Sequence, residues 1–192
     1  MAYKTFVAGT EGLASDINTY LMNQTVMVFT NSTARTAAIP SPTEGMVTYL
    51  TASDHFAIYS GTEWVIWDMA WNNWTPTITG ISTSSVTAQY VRQGKVVHFY
   101  IYATSSGAAS GTLTFTLPIA SPAIATWVAN GRAIVAGTTY TLTPILTSTT
   151  VCSLYATNVA GTYATVTATG VSVPGVWATG NTFIVTGTYN IA

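Results

Sequence analysis

From Met69 to Ala192 the chain carries no Asp and no Glu; its only charged side chains there are Arg92, Lys95 and Arg132. This gap limits both the fold and the chemistry. Ordinary glycoside hydrolysis needs a carboxylate pair. Calcium sites and Ser-His-Asp triads also need carboxylates. The segment can supply none of them by itself. Its one histidine, His98, lies in VVHFYIY, where it is expected to fill a strand face or bond locally rather than act as a base. The residues that replace charge are Thr, Ser, Gly and Ala, with many aromatics. Charged residues are 6% of the whole chain, against about 25% in a typical soluble domain. Disorder is not the consequence, because disordered chains combine low hydrophobicity with high charge and mean hydropathy here is +0.38. Thr is β-branched and suits pleated surfaces that stay wet without charge. A Thr-rich β protein is the expectation.

Up to Asp68 the balance reverses. Glu11, Asp16, Glu44, Asp54, Glu63 and Asp68 face only Lys4 and Arg35, a net of −4, while the rest carries +3. Three cations do not make the clustered basic footprint of a nucleic-acid binder. No apolar run reaches the 18 residues of a membrane span, and MAYKTFVAGTEG lacks the apolar core of a secretory signal. Neither nucleic-acid binding nor membrane insertion is expected. The single cysteine, Cys152, cannot form an intrachain disulfide and reads as a small buried hydrophobe in VCSLY. One Cys and two His are too few for a structural zinc site. No metal and no cofactor is expected.

A helical pattern starts at Leu13. Ser15 can cap and Asp16 suits a first turn. Ile17, Leu21, Gln24 and Val28 follow at 4-3-4 spacing. Two heptads cannot hold a coiled coil alone. Two readings stay open: an amphipathic helix on its own domain, or a short bundle around a symmetry axis with these four residues at the trimer interface. Pro40 and Pro42 end helical tendency. MVTYL (46–50), HFAIY (55–59) and EWVIW (63–67) then read as a three-stranded meander, marginal alone and with edges to cover.

Beyond a connector at 68–73, residues 74–192 read as about eight or nine strands with no helix. VTAQYVR and KVVHFYIYA flank a tight turn at Gln93-Gly94. GTLTFTLP alternates Leu113, Phe115 and Leu117 against Thr112, Thr114 and Thr116. An antiparallel sandwich or jelly roll follows. Val96–Ala103 is apolar or aromatic on both faces, which predicts a second layer, a subunit or a ligand against it. Trp127, Tyr155, Tyr163 and Trp177 stand near loops of small polar residues. They are candidate glycan-stacking platforms, or core and interface residues.

The run LASDINTYLMNQTVMVFTNSTARTAAIPSPTEGMVTYLTASDHFAIYSGTEWVIW resembles the N-terminal module of minor tail and tail-fibre proteins of tailed phages, especially those infecting actinobacteria. The matching elements are SDINTYL, VFTNSTAR, AAIPSPTEGMVTYL and YSGTEW, and the likeness covers about 5–67. WTPTITG, AQYVRQGKVVHFYIYATSS and GTLTFTLP resemble, more loosely, a β head found on phage fibres. The resemblance implies a homotrimeric virion protein, made in the host cytoplasm and structural rather than enzymatic. In it 1–67 would attach to other virion proteins and 74–192 would meet the host surface. The sequence shows no long shaft or collagen-like repeat, which leaves open a tail tip, a collar or capsid fibre, a decoration protein with no receptor role, or an adaptor. The reading from a different class is a free carbohydrate-binding module. A stable trimer separates the first from the second.

Overall fold

The computed structural model describes residues 7–9, 11–17, 25–68, 70–122, 129–158 and 165–191. The chain forms two compact units, Met1–Ala70 and Trp71–Ala192, and is mainly β.

In the first unit, α1 is a single turn, Ala14–Asp16, with Leu13 at its N-cap and no side-chain cap bond. Ser15 sits inside the turn instead of capping it. Leu21 and Gln24 lie outside the described residues. Val28 is on no helix: it belongs to strand β1, Val26–Phe29. The expected helical stripe is therefore corrected at this end. The sequence TVMVF has three β-branched residues, Thr25, Val26 and Val28, and an aromatic, and fits a pleated strand better than a helix. Its partner also favours the strand, because β1 pairs in parallel with β2, Val47–Leu50. A parallel pair needs a crossover, usually a helix. Here it is α2, Ser32–Ala38, which starts where the Asn31 side chain accepts a hydrogen bond from the Ala34 N–H at 2.9 Å. It ends ahead of Pro40. The meander follows as β2, β3 (His55–Tyr59) and β4 (Trp64–Asp68), all antiparallel.

Cross-strand partners share a face, so the register defines two faces of the sheet β1-β2-β3-β4. One carries Thr48 and Ala57, both fully buried, with Trp64. Above it the Arg35 guanidinium from α2 lies 4.2 Å from the centre of the Trp64 ring. Burial lowers the Arg35 pKa below its ordinary value. Its Nε and Nη1 make no hydrogen bond among the described residues, so the ring face is the contact that offsets its desolvation.

The second unit is an antiparallel assembly of β5 (Asn72–Asn73), β6 (Ile78–Gln93), β7 (Val96–Thr116), β8 (Ala129–Val135), β9 (Thr138–Leu146), β10 (Val151–Asn158), β11 (Thr165–Ala168) and β12 (Thr182–Asn190). No helix occurs among its described residues. Strand β6 pairs with β7 along nearly its whole length, with register shifts between Thr79 and Ser85. The turn between them is Gly94-Lys95, closed by Gln93 and Val96, with Gly94 at φ 63°; a type II′ hairpin needs Gly there.

Strand β7 is used twice. Its first half pairs with β12 and its last residues, Ser153-facing Thr114 to Thr116, pair with β10. The path β7-β12-β8-β9-β10 thus returns to β7 and closes. Within it β12-β8-β9-β10 has the 4-1-2-3 order of a Greek key. A long strand that passes from one sheet to the other is a feature of sandwich corners. Inside the ring Val97, Phe99, Ile101, Leu113, Phe115 and Leu154 are fully or almost fully buried. Cys152 is among them, and burial pushes its thiol pKa up to about 12. The Tyr189 hydroxyl fixes the strand-end loop, donating to the Ile119 carbonyl at 2.7 Å.

Candidate interaction surfaces

The face of the first unit opposite α2 is apolar from edge to edge. Val26, Val47, Ile58 and Val65 form one cross-strand row. Val28, Tyr49, Phe56 and Trp67 form the next. Alternation gives this directly, since each pair stands two residues apart on its strand. Val28 is 63% exposed, Val26 51%, Trp67 48% and Ile58 42%; Val47, Tyr49, Phe56 and Val65 are half-buried. The Tyr49 and Phe56 rings pack at 5.1 Å. No charged side chain interrupts the two rows, in a unit with eight ionisable acids and bases other than His. Large contiguous apolar patches are uncommon on the surfaces of monomeric soluble proteins.

The residues proposed from sequence for a trimer interface divide accordingly. Val28 is on this face, as a strand residue. Ile17 follows α1 and is 41% exposed.

The second unit presents a different surface on the outside of its ring. Core residues of β7 alternate with Val96, His98, Tyr100 and Tyr102, which are half-buried and point outward. Across the sheet one row reads Asn73, Gln89, Tyr100, Thr186, Asn130. The next reads Thr87, Tyr102, Ile184, Arg132, Thr141. Gln89 Nε2 donates to Asn73 Oδ1 at 3.0 Å, and His98 Nδ1 meets Thr188 Oγ1 at 2.8 Å. This is the local bonding expected of His98.

The four aromatic platform candidates do not form one site. Trp177 is 1% exposed and packs edge-on against Phe183, with its Nε1–H donating to the Val173 carbonyl at 3.3 Å. It is a core residue, which corrects its reading as a platform. A ring of this size carries a large apolar area into the core. Tyr155 is half-buried on the outside of β10, between Thr143 and Ala168. Trp127 and Tyr163 lie outside the described residues. Sequence reasoning missed Tyr100 and Tyr102 as surface groups. The signal was present as aromatics on both faces of one strand.

No group of three or more His, Cys, Asp or Glu side chains converges among the described residues. His55 Nδ1 and Asp68 Oδ1 stand 3.8 Å apart as a cross-strand pair in the meander. Compared with known proteins, the chain matches no family, no curated protein and no solved structure.

Proposed function

We propose that the chain is a structural protein of a tailed-phage virion, a homotrimeric tail or fibre component that contributes to host-surface attachment. The observation that carries the reading is the open apolar face of β1-β2-β3-β4. Eight apolar or aromatic side chains in two rows cost free energy in water and gain it against a matching surface. Copies of the chain related by a symmetry axis would cover that face in every subunit. The acid-free second unit fits the same role, since it offers contact groups and lacks the carboxylates of a hydrolase. The phage assignment itself rests on the likeness of 5–67 to tail and tail-fibre modules. In that arrangement the first unit holds the trimer and joins it to other virion proteins, and the second unit projects outward.

A free carbohydrate-binding module is the second reading, favoured by the polar and aromatic outer surface of the second unit. It leaves the apolar face of the first unit without a purpose. Immunogold labelling of virions of the encoding phage, with antibody against the second unit, tests the virion assignment. Discrete decoration of the tail, collar or capsid is expected. Virions that carry none of the protein by mass spectrometry would refute the assignment.

A further inference from the structure

We infer that the outer face of β6, β7, β12 and β8 binds a glycan that bears an anionic group, with Arg132 receiving the anion. This deepens the host-attachment part of the proposed function and rests on it. The face has three properties that together select such a ligand. First, beside the bonded pairs Gln89–Asn73 and His98–Thr188, part of its polar surface is unspent: the side chains of Tyr100, Tyr102, Asn130 and Arg132 make no hydrogen bond or ion pair among the described residues. Tyrosine hydroxyls, an amide and a guanidinium are donors and acceptors suited to sugar hydroxyls. Second, Tyr100 and Tyr102 stand two residues apart on one strand, so their rings repeat at about 7 Å. Each ring presents an apolar flank with a polar tip, the combination that meets a pyranose ring. Third, the charge is one-sided. The second unit has three cations and no carboxylate, and Arg132 is exposed on this face in the Tyr102 row. A guanidinium matches carboxylate or phosphate in a two-pronged geometry, with no fixed negative charge in its own unit to compete.

A protein partner fits the face less well. Protein interfaces concentrate binding energy in fully desolvated apolar or aromatic anchors, and here the half-buried Ile184 is the only large aliphatic in the two rows. The anion can be a uronate carboxylate or a polyol phosphate; Arg132 would accept either, and the probes below tell them apart.

The test uses the full-length protein and calorimetric titration with three soluble polymers: polygalacturonate, poly(glycerol phosphate) and neutral dextran. One of the two anionic polymers is expected to bind at least about tenfold more tightly than dextran. Arg132→Met and Tyr102→Ala should each lower that affinity about tenfold or more, with an unchanged melting temperature. Tyr155→Ala, on the outside of β10, should leave it unchanged. Absence of binding to all three polymers overturns the inference. So does dextran binding as tightly as the anionic polymers, or binding that survives Tyr102→Ala, which would be unspecific attraction between charges. An equal loss in Tyr155→Ala places the site elsewhere and overturns it too. Oligomeric mass is measured on the same samples. A trimer that binds no polymer removes this inference alone, whereas a monomer removes the assembly reading on which the proposed function stands.

Discussion

At Gly80 the backbone runs at φ +80°, and an added Cβ would sit 2.1 Å from the Thr112 carbonyl oxygen. Here β6 shifts register against β7, and a bulge brings the two backbones close. Neither the backbone torsion nor the neighbour leaves room for a side chain. Gly80→Ala is expected to cost about 3 kcal/mol, which lowers the melting temperature by roughly 2–4 °C per kcal/mol in a chain of this size. A melting temperature within 1 °C of the parent, on the order of the scatter expected for a neutral surface change, would contradict the bulge geometry. The same scale explains Trp177 and Cys152. Both are buried side chains whose chemistry is spent on packing, one against Phe183 and one in the ring core.

The hairpin joining β8 and β9 turns through Ala136 and Gly137, both at positive φ, 51° and 78°. A two-residue turn of this hand favours Asn-Gly, and an alanine in the left-handed region is strained. Ala136→Asn is therefore expected to stabilise the protein by about 0.5–1 kcal/mol, read as a raised denaturation midpoint; a lowered midpoint would show that the turn is not of this type. Elements with such local signals were the legible ones. GTLTFTLP alternates as read, with Leu113 and Phe115 fully buried and Thr114 bonded outward to Thr79 at 2.6 Å. The meander strands fall within a residue or so of their expected bounds. Elements that depend on distant partners were not legible. Val28 fits both a seven-residue spacing from Leu21 and a strand alternation with Val26, and only pairing with Val47–Leu50 decides between them. STARTAA has two threonines of modest helix propensity, yet it is helical because β1 and β2 need a crossover and Asn31 caps it. KVVHFYIYA and GTLTFTLP read as two separate strands, but continuous β7, Val96–Thr116, runs through both and through residues 104–110 between them. Small residues there suit a strand that leaves one sheet for the other.

At the scale of the molecule, each unit has its own logic. The second closes its ring of strands and buries an apolar core within it. The first has a small four-stranded sheet with a helix on one face and two rows of exposed or half-buried Val, Ile, Tyr, Phe and Trp side chains on the other. The sequence made the meander residues of those rows visible as members of short strands, and Val28 as an apolar position on a supposed helix. What it withheld was the register that aligns them in rows, so the predicted seam was placed on a helix through Ile17, Leu21, Gln24 and Val28 instead. The central claim is that copies of the chain cover this face in a trimer. Sedimentation equilibrium of the full-length protein, beside Ile58→Asp, measures it most directly. The parent is expected at three times its 20.2 kDa chain mass. Ile58→Asp should weaken association by at least about tenfold, because an unpaired carboxylate would enter an apolar seam, while the far-ultraviolet spectrum stays β. A parent that sediments as a monomer, or an Ile58→Asp trimer as tight as the parent's, would contradict the account.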